Sequence, residues 1–331
     1  MKKILLIATG GTIASKQTEV GLVPSITSDE ILAFAPRIAD LCEVSAIQLM
    51  NIDSSNMSPK GWIKIAECVK ENYDKYDGFV ITHGTDTLAY TASALSYLIQ
   101  NSAKPVVITG SQKSIYLQDT DARKNLYDSF TYVCNEKACG VHVVFDSKII
   151  IGTRARKTRT HSYNAFDSVD YPLTGIIFDN RVIYYLEEKI EGYPIFYDKL
   201  NTDVNILKLV PGISPELLEF MGKASDVLII EGFGVGGIPS YDEENSLAQK
   251  LQDLKEQGKI IILSTSVPHE GSNMEVYQVG YEIKGTLNLL ENYNMTTEST
   301  VCKMMWITAI TKDIEKVEKM FYTPISHDIV Y

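Results

Sequence analysis

The sequence has no excess of positive charge. Its 31 Lys and Arg stand against 42 Asp and Glu, a net charge of −11 over 331 residues. Nucleic-acid binders carry basic patches, so no nucleic-acid partner is expected. Long apolar runs are missing too. Nothing approaches the roughly 18 residues that cross a bilayer, so no membrane association is expected. The first run, residues 4–8, is too short for a secretory h-region and is broken by Gly10-Gly11. Cysteine is scarce, scattered and odd in number (Cys42, Cys68, Cys134, Cys139, Cys302), with no C-x-x-C. That argues against a disulfide framework and for a cytoplasmic location. The histidines form no H-x-x-x-H pair and the phosphate-cradling G-x-x-x-x-G-K-[ST] pattern is absent. No metal and no cofactor are expected. There is no low-complexity tract and no fixed repeat of solenoid length.

What is present is one phrase written twice. Residues 4–15 read ILLIATGGTIAS and residues 79–90 read FVITHGTDTLAY, with a weaker copy, VVITGSQ, at 106–112. Each is a short β-branched run that stops at glycine. The first two copies continue to a threonine, Thr12 and Thr85. Such runs, each followed by a helical pattern, predict parallel strands of βαβ units. Sheets of that kind bind ligands at the carboxyl ends of their strands, where two threonines from separate strands can converge on one small molecule.

The rhythm continues along the chain. Strands are expected at 3–8, 43–49, 78–82, 105–109 and 141–145, with a short one at 148–152. Helices are expected from Ser28 (capped by Ser28 or Asp29), over 59–73 with Pro59 in the first turn, over 87–100 and over 122–134. Residues 18–24 read as a flexible loop. Residues 179–211, rich in Tyr, Asn, Asp and Pro, break the rhythm and read as a linker with short strands. Strands at 204–209, 226–231 and 259–264 then resume it, with helices near 242–257 and 299–310. The expected fold is α/β: a larger N-terminal, doubly wound, mostly parallel sheet domain (1–185), a linker (186–210) and a smaller C-terminal α/β domain (211–331).

Several groups can carry chemistry, each with a plainer reading beside it. Thr12 follows two glycines that let a substrate approach, and its hydroxyl is a nucleophile if a base takes its proton. Otherwise it is a turn hydroxyl. Asp86, after Thr85, either caps the next helix or binds a substrate ammonium. His83 is a general base or a structural ring. Asp53, Ser54 and Ser55 offer hydroxyls that suit a carboxylate, or form only a turn. The run 154–159, RARKTR, is the densest basic cluster. It is a solvated loop, or it supplies a lysine, Lys157, that deprotonates the Thr85 hydroxyl. Residues 232–237, GFGVGG, fit a dinucleotide G-x-G-x-x-G, but the next strand ends in Ser264-Thr265-Ser266 rather than an acidic residue, so dinucleotide binding is rejected.

Taken together the motifs resemble the bacterial L-asparaginases. The matches are TGGTIA at 9–14, HGTDT at 83–87, ITGSQ at 108–112, GTRARK at 152–157 and NMTTE at 294–298. They span essentially the whole chain. The loop DSSNM at 53–57 resembles the cytoplasmic, type I branch. The resemblance implies hydrolysis of L-asparagine to aspartate and ammonia through a covalent acyl-enzyme. Thr12 matches the nucleophile of that family. Thr85, Asp86 and Lys157 match its second group, with Lys157 assisting Thr85. Asp86 also matches the ligand of the substrate ammonium and Ser54 the ligand of its carboxylate, flanked by Asp53 and Ser55. It further implies a homodimer or homotetramer with the site near a subunit boundary.

Three positions depart from the pattern. Leu22 stands where many relatives carry a loop tyrosine, and Gly237 where several carry asparagine. Glu275 is a candidate for an acidic residue lent to a neighbouring site. Other readings that share the motifs are a broader glutaminase-asparaginase, the asparaginase-like subunit of a tRNA-dependent amidotransferase, and an amino-acid-binding sensor without catalysis.

Overall fold

The computed structural model describes residues 1–18, 21–24, 27–190, 192–239, 246–276, 285, 287 and 289–330, with backbone alone for 16–18 and 21–24. The first strand, β1 (Lys3–Gly10), is buried at every residue after Lys3, on both of its faces. A strand covered by helices above and below demands that, and the unbroken apolar run is its sequence mark. The chain divides into one compact unit of Met1–Asp198 with Ile325–His327 and a second of Lys199–Pro324 with Asp328–Tyr331.

In the first unit β1 is followed by the hairpin β2 (Ser15–Thr18) and β3 (Gly21–Pro24), helix α1 (Ser28–Ala33) and β4 (Glu43–Ile52). Then come α2 (Pro59–Asn72), β5 (Gly78–Thr82), α3 (Leu88–Leu98), β6 (Ile99–Gln100), β7 (Val106–Thr109) and α4 (Ala122–Val133). Strands β8 (Val141–Phe145), β9 (Lys148–Ile151), β10 (Ala155–Lys157), β11 (Phe166–Ser168), β12 (Gly175–Phe178), β13 (Arg181–Tyr184) and β14 (Ile195–Phe196) complete it. The main sheet has eight strands in the order β13-β12-β9-β8-β7-β5-β1-β4. From β4 through β8 the pairs are parallel. The β9, β12 and β13 edge is antiparallel. The chain passes from β1 to its neighbour β4, then crosses to β5 on the other side, so the topological switch point lies at β1 and the loop that carries Thr12.

One core joins Ile4 and Leu6 of β1 to Ile31 of α1 and Leu126 and Phe130 of α4. Helix α2 buries Trp62, Ile65, Ala66 and Val69 along one stripe, with Pro59 at its start. Helix α3 is buried nearly all round, and the small residues Ala89, Ala92, Ser93, Ala94 and Ser96 let backbone approach it. Gly152 uses that space: a Cβ there would lie 2.6 Å from Ser96 Oγ and 2.9 Å from Ala92 O. The segment from Gly152 to Lys157 can therefore run close along α3.

The expectations and the structure differ at definite places. Residues 15–18 and 21–24 form a two-stranded antiparallel ribbon, where a flexible loop was expected over 18–24. Thr27, not Ser28 or Asp29, caps α1, and its capping box is closed by Glu30. The stretch 179–211, read as a linker with short strands, opens with the turn and second strand of the hairpin β12–β13, whose first strand lies before it. The two turn residues Asp179 and Asn180 have φ of 49° and 58°, the geometry of a type I′ turn.

In the second unit β15 (Val204–Lys208), β16 (Val227–Gly232), β17 (Ile260–Thr265) and β18 (Leu290–Glu291) form a parallel sheet in chain order. Helices α5 (Pro215–Lys223) and α6 (Leu247–Glu256) pack so closely that a Cβ on Gly222 would meet Leu254 Cδ1 at 2.2 Å. Helix α5 and the helix Ile314–Tyr322 are not among the expected elements. The expected helix start at 242–245 lies outside the described residues. Lys303 and Asp328 form a fully buried ion pair of 2.7 Å. The glycine motif 232–237 is a closed turn in which Phe233 N donates to Gly237 O at 2.9 Å.

Candidate active site

The first catalytic candidate is placed by two glycines. Gly10 and Gly11 have φ of 105° and 79°, a region that side-chain-bearing residues avoid. A Cβ on Gly11 would stand 2.3 Å from Gly84 N, and one on Gly84 would stand 2.6 Å from Ser54 Oγ. Three loops, from the ends of β1, β5 and β4, thus meet backbone to backbone. Gly11 N donates to Ile52 O at 2.9 Å and Thr87 Oγ1 to Ser54 O at 2.8 Å, which locks them together. Thr12 opens the short 3-10 turn Thr12–Ala14 and is partly exposed. Among the described residues its hydroxyl makes no hydrogen bond.

The second candidate group is assembled by β10. Lys157 Nζ donates to Thr85 Oγ1 at 2.8 Å and to Asp86 Oδ1 at 2.6 Å. Thr85 is buried, the Lys157 side chain is 18% exposed and that of Asp86 66%, so the lysine lies inside and the carboxylate faces out. Thr85 Oγ1 in turn donates to Gln112 Oε1 at 3.3 Å, and Gln112 Nε2 to Ser162 O at 3.1 Å. Asp121 grips the backbone N–H groups of Gln112 and Lys113 at 2.9 and 3.0 Å. A hydroxyl is thereby held between an ammonium and an amide, next to a carboxylate open to a cationic ligand.

The Asp53-Ser54-Ser55 triplet divides. Ser54 is buried against Gly84. Asp53 caps the 3-10 turn Ser54–Asn56 and accepts from the Ser55 hydroxyl and from Ser55 N. Those two bonds hold its carboxyl below the usual carboxylate range, the side-chain one contributing most. The exposed Ser55 and Asp53 therefore bond each other, and Ser54 is the member turned inward.

Known proteins share this chain's sequence and fold throughout. Residues 3–190 match the asparaginase N-terminal domain and residues 203–321 the glutaminase/asparaginase C-terminal domain. The chain is 37% identical to the L-asparaginase of Thermococcus kodakarensis, over 99% of each protein. The chain belongs to the asparaginase family. The solved structure of the thermostable L-asparaginase from the same organism superposes with a TM-score of 0.93 at 36% identity and covers 99% of both chains. A second relative is a component of the glutamyl-tRNA(Gln) amidotransferase of Pyrococcus furiosus, 33% identical over 98% of this chain and 76% of that protein.

Within this asparaginase-family chain the basic run sorts itself by partner. Arg154 is fully buried. Its Nε donates to His327 O at 2.6 Å and its guanidinium lies 5.4 Å from the centre of the Tyr171 ring. Thr153 Oγ1 donates to Ser326 O at 2.6 Å. These bonds hold residues 325–327 within the first unit. Arg159 and Lys148 both bind Asp167, and burial, which raises that carboxyl, is outweighed by these bonds and one from Thr158, leaving it at about 2. Lys157 alone of the run reaches Thr85. Gln112 is a site residue that sequence reasoning missed. Its contact with Thr85 was open to inference because ITGSQ repeats the strand-end phrase at the next strand.

His83 is structural. Its Nδ1 lies 2.7 Å from Gly84 O, a carbonyl that can only accept, so Nδ1 carries the proton. Nε2 then accepts from Thr91 Oγ1 at 2.9 Å, which itself accepts from Trp62 Nε1 at 2.9 Å. Burial lowers the ring to about 4, and does the same to His142, which bonds Thr174 Oγ1 at 3.0 Å. The unfolded chain binds these protons near pH 6.5 and the folded one only near 4, so stability falls as pH drops through that window. The loss is about 3 kcal/mol per ring by pH 4. We expect the urea midpoint to fall clearly between pH 7 and pH 4.5. An unchanged midpoint would contradict buried neutral rings.

Among the described residues no group of three or more His, Cys, Asp or Glu is placed to hold a metal ion. No helix among them is long and apolar enough to cross a membrane. All five cysteines are free thiols. Leu22 lies in β3, and its side chain is outside what the structure describes. Glu275 is exposed in the short 3-10 helix Met274–Val276.

Proposed function

We propose that this chain hydrolyses L-asparagine to L-aspartate and ammonia. The observation that carries the reading is Lys157 bridging the Thr85 hydroxyl and the Asp86 carboxylate, beside the glycine loop of Thr12. The exposed Asp86 takes the substrate ammonium, and the Ser54 hydroxyl, flanked by Asp53 and Ser55, takes its carboxylate. This clamp sets the side-chain amide between Thr12 and Thr85. Thr12 Oγ attacks the amide carbon, its proton passes to the leaving nitrogen, and ammonia departs from an aspartyl ester. Thr85 takes a proton from the water that cleaves the ester as its own proton is relayed through the Lys157 amine to the departing Thr12 oxygen, so that Thr12, Thr85 and Lys157 all end as they began.

The working form is a homodimer or homotetramer in the cytoplasm. The family membership supports the first, and the free thiols fit a reducing compartment. The amidotransferase relative supports a second reading, in which ammonia is passed to a partner protein. Ammonia release by the purified chain, with asparagine and glutamine in parallel, tests the proposal. Saturable release from asparagine is expected. Selectivity over glutamine rests on one methylene, worth about 1–3 kcal/mol. Release only when amidotransferase partners are added would favour the second reading. Asparagine binding without release would favour a sensor.

A further inference from the structure

A cavity of about 360 Å³ on the first unit, apart from the loops of Thr12, Ser54, Thr85 and Lys157, is lined by Phe34, Arg37, Arg123, Lys124, Tyr127 and Asp128, among others. In a chain of net charge −11 its wall carries three cations and one carboxylate. Lys124 and Asp128 cancel each other: they pair at 2.6 Å, with Ser147 bonded to both. The two guanidinium groups remain. Arg37 lies over the Tyr127 ring at 4.8 Å from its centre and, among the described residues, makes no hydrogen bond or ion pair. Arg123 lies over Phe34 at 5.8 Å and donates through one nitrogen, to Ile115 O at 3.0 Å. Ring contacts hold a guanidinium plane in place while leaving its N–H fork for an oxyanion, which is the geometry that favours arginine over lysine for phosphate and carboxylate.

We propose that this pocket binds a small organic anion, a phosphate or carboxylate head carried on a flat ring. The head sits between the forks of Arg37 and Arg123. The ring fits the aromatic wall of Phe34 and Tyr127, and the volume suits a mononucleotide better than a bare ion. Arg123 also connects the pocket to the site. It holds Ile115 O, and Ile115 N donates to Ile13 O at 3.4 Å, one residue after Thr12. An anion that draws Arg123 away loosens that turn, so occupancy alters turnover. This second half rests on Thr12 acting in the reaction; the binding half does not.

Calorimetric titration of the full-length protein with adenosine monophosphate, benzoate and inorganic phosphate tests the site. Saturable one-to-one binding of the nucleotide or of benzoate is expected, and which of them binds more tightly identifies the head group. Arg37→Gln, at an exposed position, is expected to weaken it at least about tenfold, the loss of one charge-assisted fork. No saturable binding of any probe, or unchanged affinity in Arg37→Gln, overturns the site. Inorganic phosphate binding as tightly as the nucleotide overturns the role of the ring. For the regulatory half, the better-binding probe at the lowest concentration that saturates the wild type is expected to change kcat on asparagine in the wild type and to change it less in Arg37→Gln. Binding with unchanged kcat overturns that half and leaves the site standing.

Discussion

Thr12→Ala is expected to lower kcat by at least about a thousandfold, or about 4 kcal/mol in the barrier, with KM for asparagine changed only a few fold. The reason is chemical. In the proposed reaction Thr12 supplies the one oxygen that forms the ester, which alanine removes, and the hydroxyl at Thr85 belongs to a different hydrogen-bond set. The fold should tolerate the change, because Thr12 is only partly buried and its hydroxyl bonds nothing among the described residues. The proposed ligands for the two ends of the substrate, Asp86 and Ser54, are untouched, so binding should persist. Steady-state kinetics, with a melting curve as a control for folding, reads the result. Activity within about tenfold of wild type would remove Thr12 from the nucleophile's place.

Lys157→Met should lower kcat by roughly a hundredfold or more, the usual range for loss of general acid–base help. The side chain is long enough to keep the packing beside α3, so the loss reports the amine. Its KM should move little or even fall, since Asp86 loses a competitor for its carboxylate when the 2.6 Å ion pair is removed. The pair is not a stability element of weight: a partly solvent-exposed ion pair contributes about 0–1 kcal/mol. A loss of only a few fold in kcat would return Lys157 to the solvated basic loop of the plainer reading.

The strand ends were legible because the sheet writes them plainly. A run buried on both faces must be apolar, and it must stop where backbone meets backbone, at Gly11 and Gly84. The inner strands β5, β7 and β8 accordingly fall close to their expected bounds. The outer edge was harder. Strands β12 and β13 are apolar (GIIF and RVIY) but have only four residues each, too few for a period to show, although the Asp179-Asn180 turn signal was present. The ribbon of 15–18 and 21–24 is two short strands that, among the described residues, pair only with each other, and no long period marks such a pair.

The site itself was legible in part. Thr12 and Thr85 follow from the repeated phrase alone. That Lys157 reaches Thr85 across 72 positions could come only from resemblance or from the fold, because it depends on Gly152 lying flat against α3 and on Thr153 and Arg154 gripping residues 326 and 327. His83 shows the opposite lesson. A histidine next to the site invites a catalytic role, yet its two nitrogens are committed to Gly84 and Thr91.

A covalent ester on Thr12 is open to trapping. In Thr85→Val the first half of the reaction should proceed while water attack is slowed, so the ester should accumulate. The variant mixed with asparagine, quenched in acid and digested, should yield a peptide containing Thr12 that is heavier by one aspartyl group, with one ammonia released per site in the first turnover. The same adduct should be missing from the Thr12→Ala, Thr85→Val double variant. An aspartyl adduct on any other residue, or turnover by wild type with no adduct trapped on Thr12 in either protein, would contradict the account.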